Sequence, residues 1–273
     1  MKFAICNELF QGWKPRDIFK FASEIGYQGI EIAPFTLAKS VTEISPEQRR
    51  SLRREAEEFG LGIAGLHWLL VSPPGLFINH PEAGIRQKTL SYFQELIKFC
   101  HDLGGKIMVV GSPKQRNVWE GQLYEEAWEM TKQFFQECLP RAEKEGVTLC
   151  LEPLSPAETN FINTAEEGIR FVREIAHPNF KLILDVKAMS SEKIPLPQII
   201  AGAREYLAHF HANDANMRGP GFGDTDFRLI LKALTDINYQ GYVSIEVFDY
   251  QPDAETIARK SYQYLMKVQS RGK

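Results

Sequence analysis

The sequence GVTLCLEP (residues 146–153) shows the pattern that determines the fold: a glycine ends a long amphipathic segment, and a short apolar strand follows it. A glycine just past a helix end adopts the left-handed conformation that closes the last turn. The same order recurs at Gly26, Gly60, Gly104 and Gly241. Apolar segments at the N-terminus (KFAICN), from Phe180 (FKLILDV) and from Leu207 (LAHFHAN) complete a set of eight predicted strands.

The segments between these strands have helical spacing of their apolar residues. Two of them begin with a capping box, Ser45 with Gln48 and Thr164 with Glu167. The predicted helices cover residues 15–25, 45–59, 82–103, 123–145, 164–176, 196–205, 226–237 and 253–268.

Eight alternations of apolar strand and helix favour parallel pairing with both faces of the sheet covered. Such units close into a (β/α)8 TIM barrel, and we expect one α/β domain over residues 1–273. An open doubly wound sheet is the alternative, but the glycine-rich dinucleotide motif is missing after the first strand.

The composition is that of an ordinary soluble protein, with 44% hydrophobic and 25% charged residues. A net charge of -3 gives no reason to expect nucleic acid or an anionic membrane as a partner. No signal peptide or membrane span is recognisable. Four widely spaced cysteines predict reduced, mostly buried thiols and a cytoplasmic location: Cys6, Cys100, Cys138 and Cys150.

Four consecutive predicted strands end in a side chain that can bind a metal ion. They are Glu152 (TLCLE), Asp185 (LILD), His211 (AHFH) and Glu246 (VSIE). Active sites of such barrels lie at the C-terminal ends of the strands. The oxygen-rich set predicts one divalent cation, with Mn²⁺, Mg²⁺ or Co²⁺ favoured over Zn²⁺.

Several other residues are open to two interpretations. His67, at the end of strand three, either reaches the pocket or is a hydrogen-bonded structural histidine. Glu31 either points into the barrel mouth or pairs with a basic residue, and Trp13 and Trp119 either stack on a sugar ring or only pack. The loop at residues 68–81 is either a lid or a surface loop, and His80 and His101 are expected at the surface.

Four motifs resemble those of the xylose isomerase-like barrel superfamily, and most closely its sugar isomerases and epimerases. They are LEPLSPAETNFINT (151–164), LILDVKAM (182–189), HFHANDANMRGPGFGDTDF (209–227) and SIEVF (244–248). This group includes ketose 3-epimerases and hydroxypyruvate isomerases.

The resemblance implies that Glu152, Asp185, His211 and Glu246 bind the metal and that the two glutamates exchange the substrate proton. It also implies that Glu158 contacts the terminal hydroxyls of a sugar or polyol substrate and that Arg218 contacts the substrate. A salt bridge from Arg218 to Asp214 or Asp224 is the alternative. A dimer or tetramer is a further implication.

One departure concerns position 188, where the family usually supplies a histidine that touches the substrate oxygens. Ala188 stands there, so the exact substrate does not follow from the resemblance, and Lys187 is either a replacement contact or a solvated lysine. Three alternatives to a sugar isomerase or epimerase therefore stay open. They are a polyol or keto-acid dehydratase, an apurinic-site endonuclease and a non-catalytic binding barrel. The endonuclease is disfavoured because such enzymes need extra histidines, and Gly111 and Ala188 stand where two of them would be expected.

Overall fold

Parallel strands pair in sequence order and close into a barrel in the computed structural model, which describes residues 1–271. Over these residues the eight strands are β1 (Lys2–Cys6), β2 (Gly29–Ile32), β3 (Gly62–Leu66), β4 (Ile107–Val110), β5 (Thr148–Leu151), β6 (Phe180–Asp185), β7 (Leu207–Ala212) and β8 (Tyr242–Ile245). The pairing of β8 with β1 closes the barrel and confirms the predicted TIM barrel. Residues 272 and 273 of the predicted domain lie outside the described part.

The helices surround the barrel close to their predicted bounds. They are α1 (Pro15–Ile25), α2 (Pro46–Glu58), α3 (Ala83–Asp102), α4 (Tyr124–Glu145), α5 (Ala165–Ile175), α6 (Val186–Met189), α7 (Leu196–Gly202), α8 (Phe227–Asp236) and α9 (Ala254–Arg271). Both predicted capping boxes form, at Ser45 and at Thr164. The short helix α6 was not predicted, because four residues are too few to show a helical period.

Two apolar regions stabilise the fold. The larger one lies between the sheet and the helices, and a smaller cluster of Val109, Cys150 and Ile183 comes from β4, β5 and β6. Side chains alternate along a strand, so residues two positions further on share the same face. That face therefore carries Cys150 and then Glu152 on β5, and Ile183 and then Asp185 on β6.

The remaining expectations of the sequence concern cysteines, membranes and one long loop. All four cysteines are free and buried, as predicted. No helix within residues 1–271 is both long enough and apolar enough to cross a membrane. The segment from residue 68 to residue 81 contains no helix or strand, and Trp68 at its start has a left-handed backbone with φ of 52°.

Candidate active site

The four strand-end residues meet at one rim of the barrel. One donor atom from each of Glu152, Asp185, His211 and Glu246 lies within 4.8 Å of the others. All four residues are buried, with at most 5% of their surface exposed. Asp185 and His211 are paired neighbours on β6 and β7, while Glu152 and Glu246 directly follow β5 and β8. The geometry therefore brings together the set selected from the sequence.

Local structure fixes the carboxylate of Asp185. This residue is the N-cap of α6, and its Oδ1 accepts a hydrogen bond of 2.8 Å from the backbone N–H of Ala188. Its Oδ2 accepts a hydrogen bond from the side-chain amide of Asn213. An N-cap carboxylate is held by the unpaired N–H groups of the first helical turn. The short helix α6 therefore positions a candidate metal ligand.

Glu31 orients His211 from inside the barrel. The Oε1 atom of Glu31 lies 3.0 Å from Nε2 of His211, and Oε2 lies 2.7 Å from Nε2 of His209. The two histidines therefore share one face of β7, as their spacing predicts. On its other side, Nδ1 of His211 lies 2.9 Å from Oε2 of Glu246. Of the two interpretations of Glu31, pairing with basic residues inside the barrel is the one observed.

The electrostatics of the cluster are dominated by burial and by repulsion between carboxylates. Burial, together with Glu246 and Asp185, raises the pKa of Glu152 to about 8. Burial and Glu246 raise the pKa of Asp185 to about 6. Burial also acts to raise the pKa of Glu246, but the charge and hydrogen bond of His211 outweigh it and lower that pKa. Three buried carboxylates thus face one imidazole.

This donor set fits a divalent metal ion. Carboxylate oxygens and an imidazole nitrogen are typical ligands of Mn²⁺, Mg²⁺ and Co²⁺. A cation among the three carboxylates would offset the repulsion that raises the pKa values of Glu152 and Asp185. Glu31 also matches the carboxylates that hold the second ring nitrogen of metal-binding histidines.

Gly111 makes room for Glu152. A Cβ atom at Gly111 would lie 1.9 Å from Oε2 of Glu152, a distance that non-bonded atoms do not adopt. Gly111 follows β4, the neighbour of β5, so its missing side chain leaves the space that the carboxylate occupies. A histidine at this position, as the nuclease alternative requires, would displace Glu152.

Glu8 is a site residue that the sequence analysis missed. Its Oε2 lies 2.7 Å from Nε2 of His67, and its other oxygen is buried without a hydrogen-bond partner. Donor atoms of Glu8, His67 and Glu246 lie within 4.8 Å of one another. Burial acts to lower the pKa of His67, but Glu8 outweighs it and raises that pKa to about 9. The only signal in the sequence was that Glu8 closely follows the apolar strand β1, since the chain turns into a short 3-10 helix at Asn7–Leu9.

A small cavity of about 20 Å³ adjoins the cluster. Its lining includes Glu152, Glu246, His67 and Glu158, together with Trp68 and Phe248. His67 therefore reaches the pocket and is also hydrogen-bonded, so both interpretations of this residue describe it. A volume of this size holds a water molecule or an ion, and a sugar enters only when the surrounding side chains move.

Lys187 and Arg218 occupy different environments. The ammonium group of Lys187 donates to Glu158 and lies 3.9 Å from the ring centroid of Phe248. Lys187 is thus not a solvated lysine. Arg218 is 40% exposed along its side chain and bonds Asp249 at 2.8 Å, rather than Asp214 or Asp224. Asp214 instead accepts a hydrogen bond from the hydroxyl of Thr225 within its own loop.

A second missed residue is Arg116, which lies in the loop after β4. Its guanidinium is buried, donates to the carbonyl of Val110, and has two nitrogens without a partner. Burial lowers its pKa to about 10, although Glu152 and Glu158 act in the opposite direction. This arginine therefore contributes a nearby positive charge to the candidate site.

Substituting Gly111→Ala should weaken metal binding, because the new methyl group forces the Glu152 carboxylate out of position. We expect Mn²⁺ affinity to fall by about 10- to 100-fold, the range seen when a metal ligand loses its support. Isothermal titration calorimetry measures the change. Gly202→Ala is the matched control, since nothing lies within 4 Å of the added Cβ there. Unchanged affinity in a folded Gly111→Ala protein would contradict this assignment.

Substituting Glu152→Gln should stabilise the metal-free protein, and more so at higher pH. The raised pKa means that the folded state binds this proton more tightly than the unfolded state does. Binding of this proton by Glu152 stabilises the folded state fully below about pH 4.5, and this stabilisation is lost as pH rises through about 8. Melting curves in a chelator should show a larger gain at pH 9 than at pH 6. Glu120→Gln, at an exposed position, serves as the control. Equal gains in melting temperature for Glu152→Gln at both pH values would refute the raised pKa of Glu152.

Comparison with known proteins identifies the family to which this chain belongs. The family model described as xylose isomerase-like TIM barrel matches residues 19–268. A D-psicose 3-epimerase of Ruminiclostridium cellulolyticum is 31% identical over 63% of this chain and 59% of its own length. A D-psicose 3-epimerase of Agrobacterium fabrum is 28% identical over 83% of this chain and 76% of its own.

A solved structure shows the same fold over the whole chain. It is a D-psicose 3-epimerase from Clostridium cellulolyticum H10 with D-tagatose, and it superposes with a TM-score of 0.87 at 24% identity over 100% of both chains. The two sequence relatives are epimerases, and their class agrees with the isomerase predicted from the motifs. The match to the family model confirms the resemblance seen in the sequence: this chain belongs to the xylose isomerase-like TIM barrel family.

Proposed function

We propose that the protein is a metal-dependent sugar epimerase or isomerase that moves a proton next to a carbonyl group. The observation that carries this proposal is the convergence of Glu152, Asp185, His211 and Glu246 within 4.8 Å at the rim of the barrel. The epimerase relatives support the reaction class. The cavity beside the cluster is lined by the two glutamates that the reaction needs.

The reaction requires a base to remove a weakly acidic proton from carbon and an acid to return it. Glu152 and Glu246 both line the cavity, so each carboxylate is available to a substrate carbon bound there. A divalent cation held by the four ligands would polarise the substrate carbonyl and orient its oxygens. Reprotonation on the opposite face inverts the carbon, and reprotonation on the neighbouring carbon moves the carbonyl.

The surrounding protein separates the proton affinities of the two glutamates. Burial, Glu246 and Asp185 raise the pKa of Glu152, whereas His211 lowers the pKa of Glu246 against the effect of burial. Two carboxyl groups whose pKa values are driven apart are suited to act as acid and base. Glu152 and Glu246 would then act as base and acid in turn, one removing the proton and the other returning it.

Substrate hydroxyl groups have polar partners on two walls of the cavity. Glu158 lines it on one wall and is held by the hydroxyl of Ser155 at 2.7 Å and by Lys187. His67 lines it on another and is held by Glu8. We propose that Glu158 and His67 bind substrate hydroxyls. Arg218, bonded to Asp249, contributes once a negatively charged or polar group displaces that partner.

The central prediction concerns solvent exchange. Protein loaded with Mn²⁺ should incorporate deuterium from solvent beside the carbonyl of a ketose such as D-fructose, as measured by NMR. Glu246→Gln should lower the exchange rate by at least about 10²-fold, the usual contribution of a positioned base. Removing the metal with a chelator should also abolish exchange, and adding Mn²⁺ should restore it.

The matched control is Glu120→Gln, which makes the same change of charge at an exposed position outside the cluster. Circular dichroism and retained Mn²⁺ binding show whether the Glu246→Gln protein is folded and loaded. A loaded, folded variant that exchanges as fast as the unsubstituted protein would exclude Glu246 from the proton transfer. Loss of water without exchange of configuration would identify the dehydratase alternative instead.

A further inference from the structure

A second cavity opens at the same rim of the barrel, next to the candidate active site. It has a volume of about 440 Å³ and is built by segments that follow β1, β2 and β8. We call it the aromatic recess because four aromatic side chains line it: Phe10, Trp13, Phe35 and Tyr250. Its size lies within the range of small-molecule sites, whereas the cavity at the metal ligands measures about 20 Å³.

The recess and the catalytic cavity are adjacent. Glu8 lines the recess, and its carboxylate bonds His67, which lines the catalytic cavity. Donor atoms of Glu8 and of Glu246 lie within 4.8 Å of each other. The segment after β8 borders both spaces, since Phe248 lines the catalytic cavity and Tyr250, two residues later, lines the recess. A ligand in the recess would therefore lie beside the reacting sugar.

The lining of the recess is suited to a sugar ring. Aromatic rings pack against the apolar C–H faces of sugars, and a few polar groups bind the hydroxyls. Trp13 packs its ring against Phe10 and Phe21, with centroids 5.4 Å away in each case, and so has a fixed orientation. Phe35 is 40% exposed, so its ring is accessible to a ligand in the recess. Gln11 and Thr36 add polar groups to the same wall.

The floor of the recess is rigid. The side-chain oxygen of Asn7 accepts a hydrogen bond of 2.7 Å from the backbone N–H of Ala33, and its amide donates to Thr36 at 2.7 Å. These contacts join the segment after β1 to the segment after β2. A binding site formed in advance loses little conformational freedom when a ligand binds.

We propose that the aromatic recess binds a second sugar ring, so that the substrate is a keto sugar carrying a glycosidic substituent rather than a free ketose. This inference rests on the proposed function, because it places the reacting ring at the metal ligands. Trp13 and Phe35 then determine specificity through contacts with the second ring and take no part in the proton transfer.

The experiment compares one ketose with and without a second ring. Deuterium exchange by Mn²⁺-loaded protein is measured on D-fructose and on its glycosylated forms maltulose, lactulose and isomaltulose. We expect kcat/KM for at least one disaccharide to exceed that for fructose by about tenfold or more, the factor given by about 1.4 kcal/mol of extra binding. Phe35→Ala and Trp13→Ala should remove this preference and leave the fructose rate within about twofold.

Trp119→Ala is the matched control, because Trp119 packs on Phe77 and His80 and lines neither cavity. Phe35→Ala is the safer test variant, since an exposed side chain contributes little to folding. Equal kcat/KM values for fructose and all three disaccharides would overturn the proposal. So would variants that slow both substrate types equally, because such a result indicates a structural role.

Calorimetric binding separates this proposal from the proposed function. If no sugar exchanges deuterium, the proposed function fails, and the binding of the disaccharides still tests the recess. Tighter binding of a disaccharide than of fructose, lost in Phe35→Ala and kept in Trp119→Ala, supports the recess. The absence of any such preference excludes it.

Discussion

The buried carboxylate of Glu31 is the contact on which the candidate site depends. It lies inside the barrel with no exposed surface and meets Nε2 of both His209 and His211. A buried charge without partners is very costly, so Glu31 requires these histidines as much as it orients them. Burial acts to raise its pKa, but the two histidines outweigh burial and lower that pKa well below its ordinary value. The side chain of His211 is thereby fixed with Nδ1 facing Glu246.

This contact is possible because a closed barrel brings distant strands together. Glu31 lies on β2 and His211 on β7, 180 residues apart in the chain, yet both face the barrel interior. Deeper in the interior, Val109, Cys150 and Ile183 form the small apolar cluster. Glu31 and His211 lie near the rim where the loops begin, and His209 lies one interior position deeper on β7. The apolar cluster supports the site from below.

The elements and the four candidate ligands were predictable because their signals are local. An apolar run that ends in Glu152 or Asp185 indicates both the strand and the rim at which its last side chain lies. Contacts between loops were not predictable, since they depend on how the barrel closes. Glu8 beside His67 and Arg218 beside Asp249 are examples. In both cases the residue types were visible in the sequence, but the partner was not.

Under the proposed function, these loop contacts rather than the four candidate ligands would select the substrate. Ala188 presents no polar group at the position where the family usually has a histidine, and its backbone N–H is used by Asp185. Glu8 and His67 place a buried, hydrogen-bonded pair beside Glu246, in the segments that directly follow β1 and β3. The polar partners available to a substrate are therefore displaced from the β6 wall towards β1 and β3. Under the proposed function, such a difference would change which sugar is held without changing how its proton is moved.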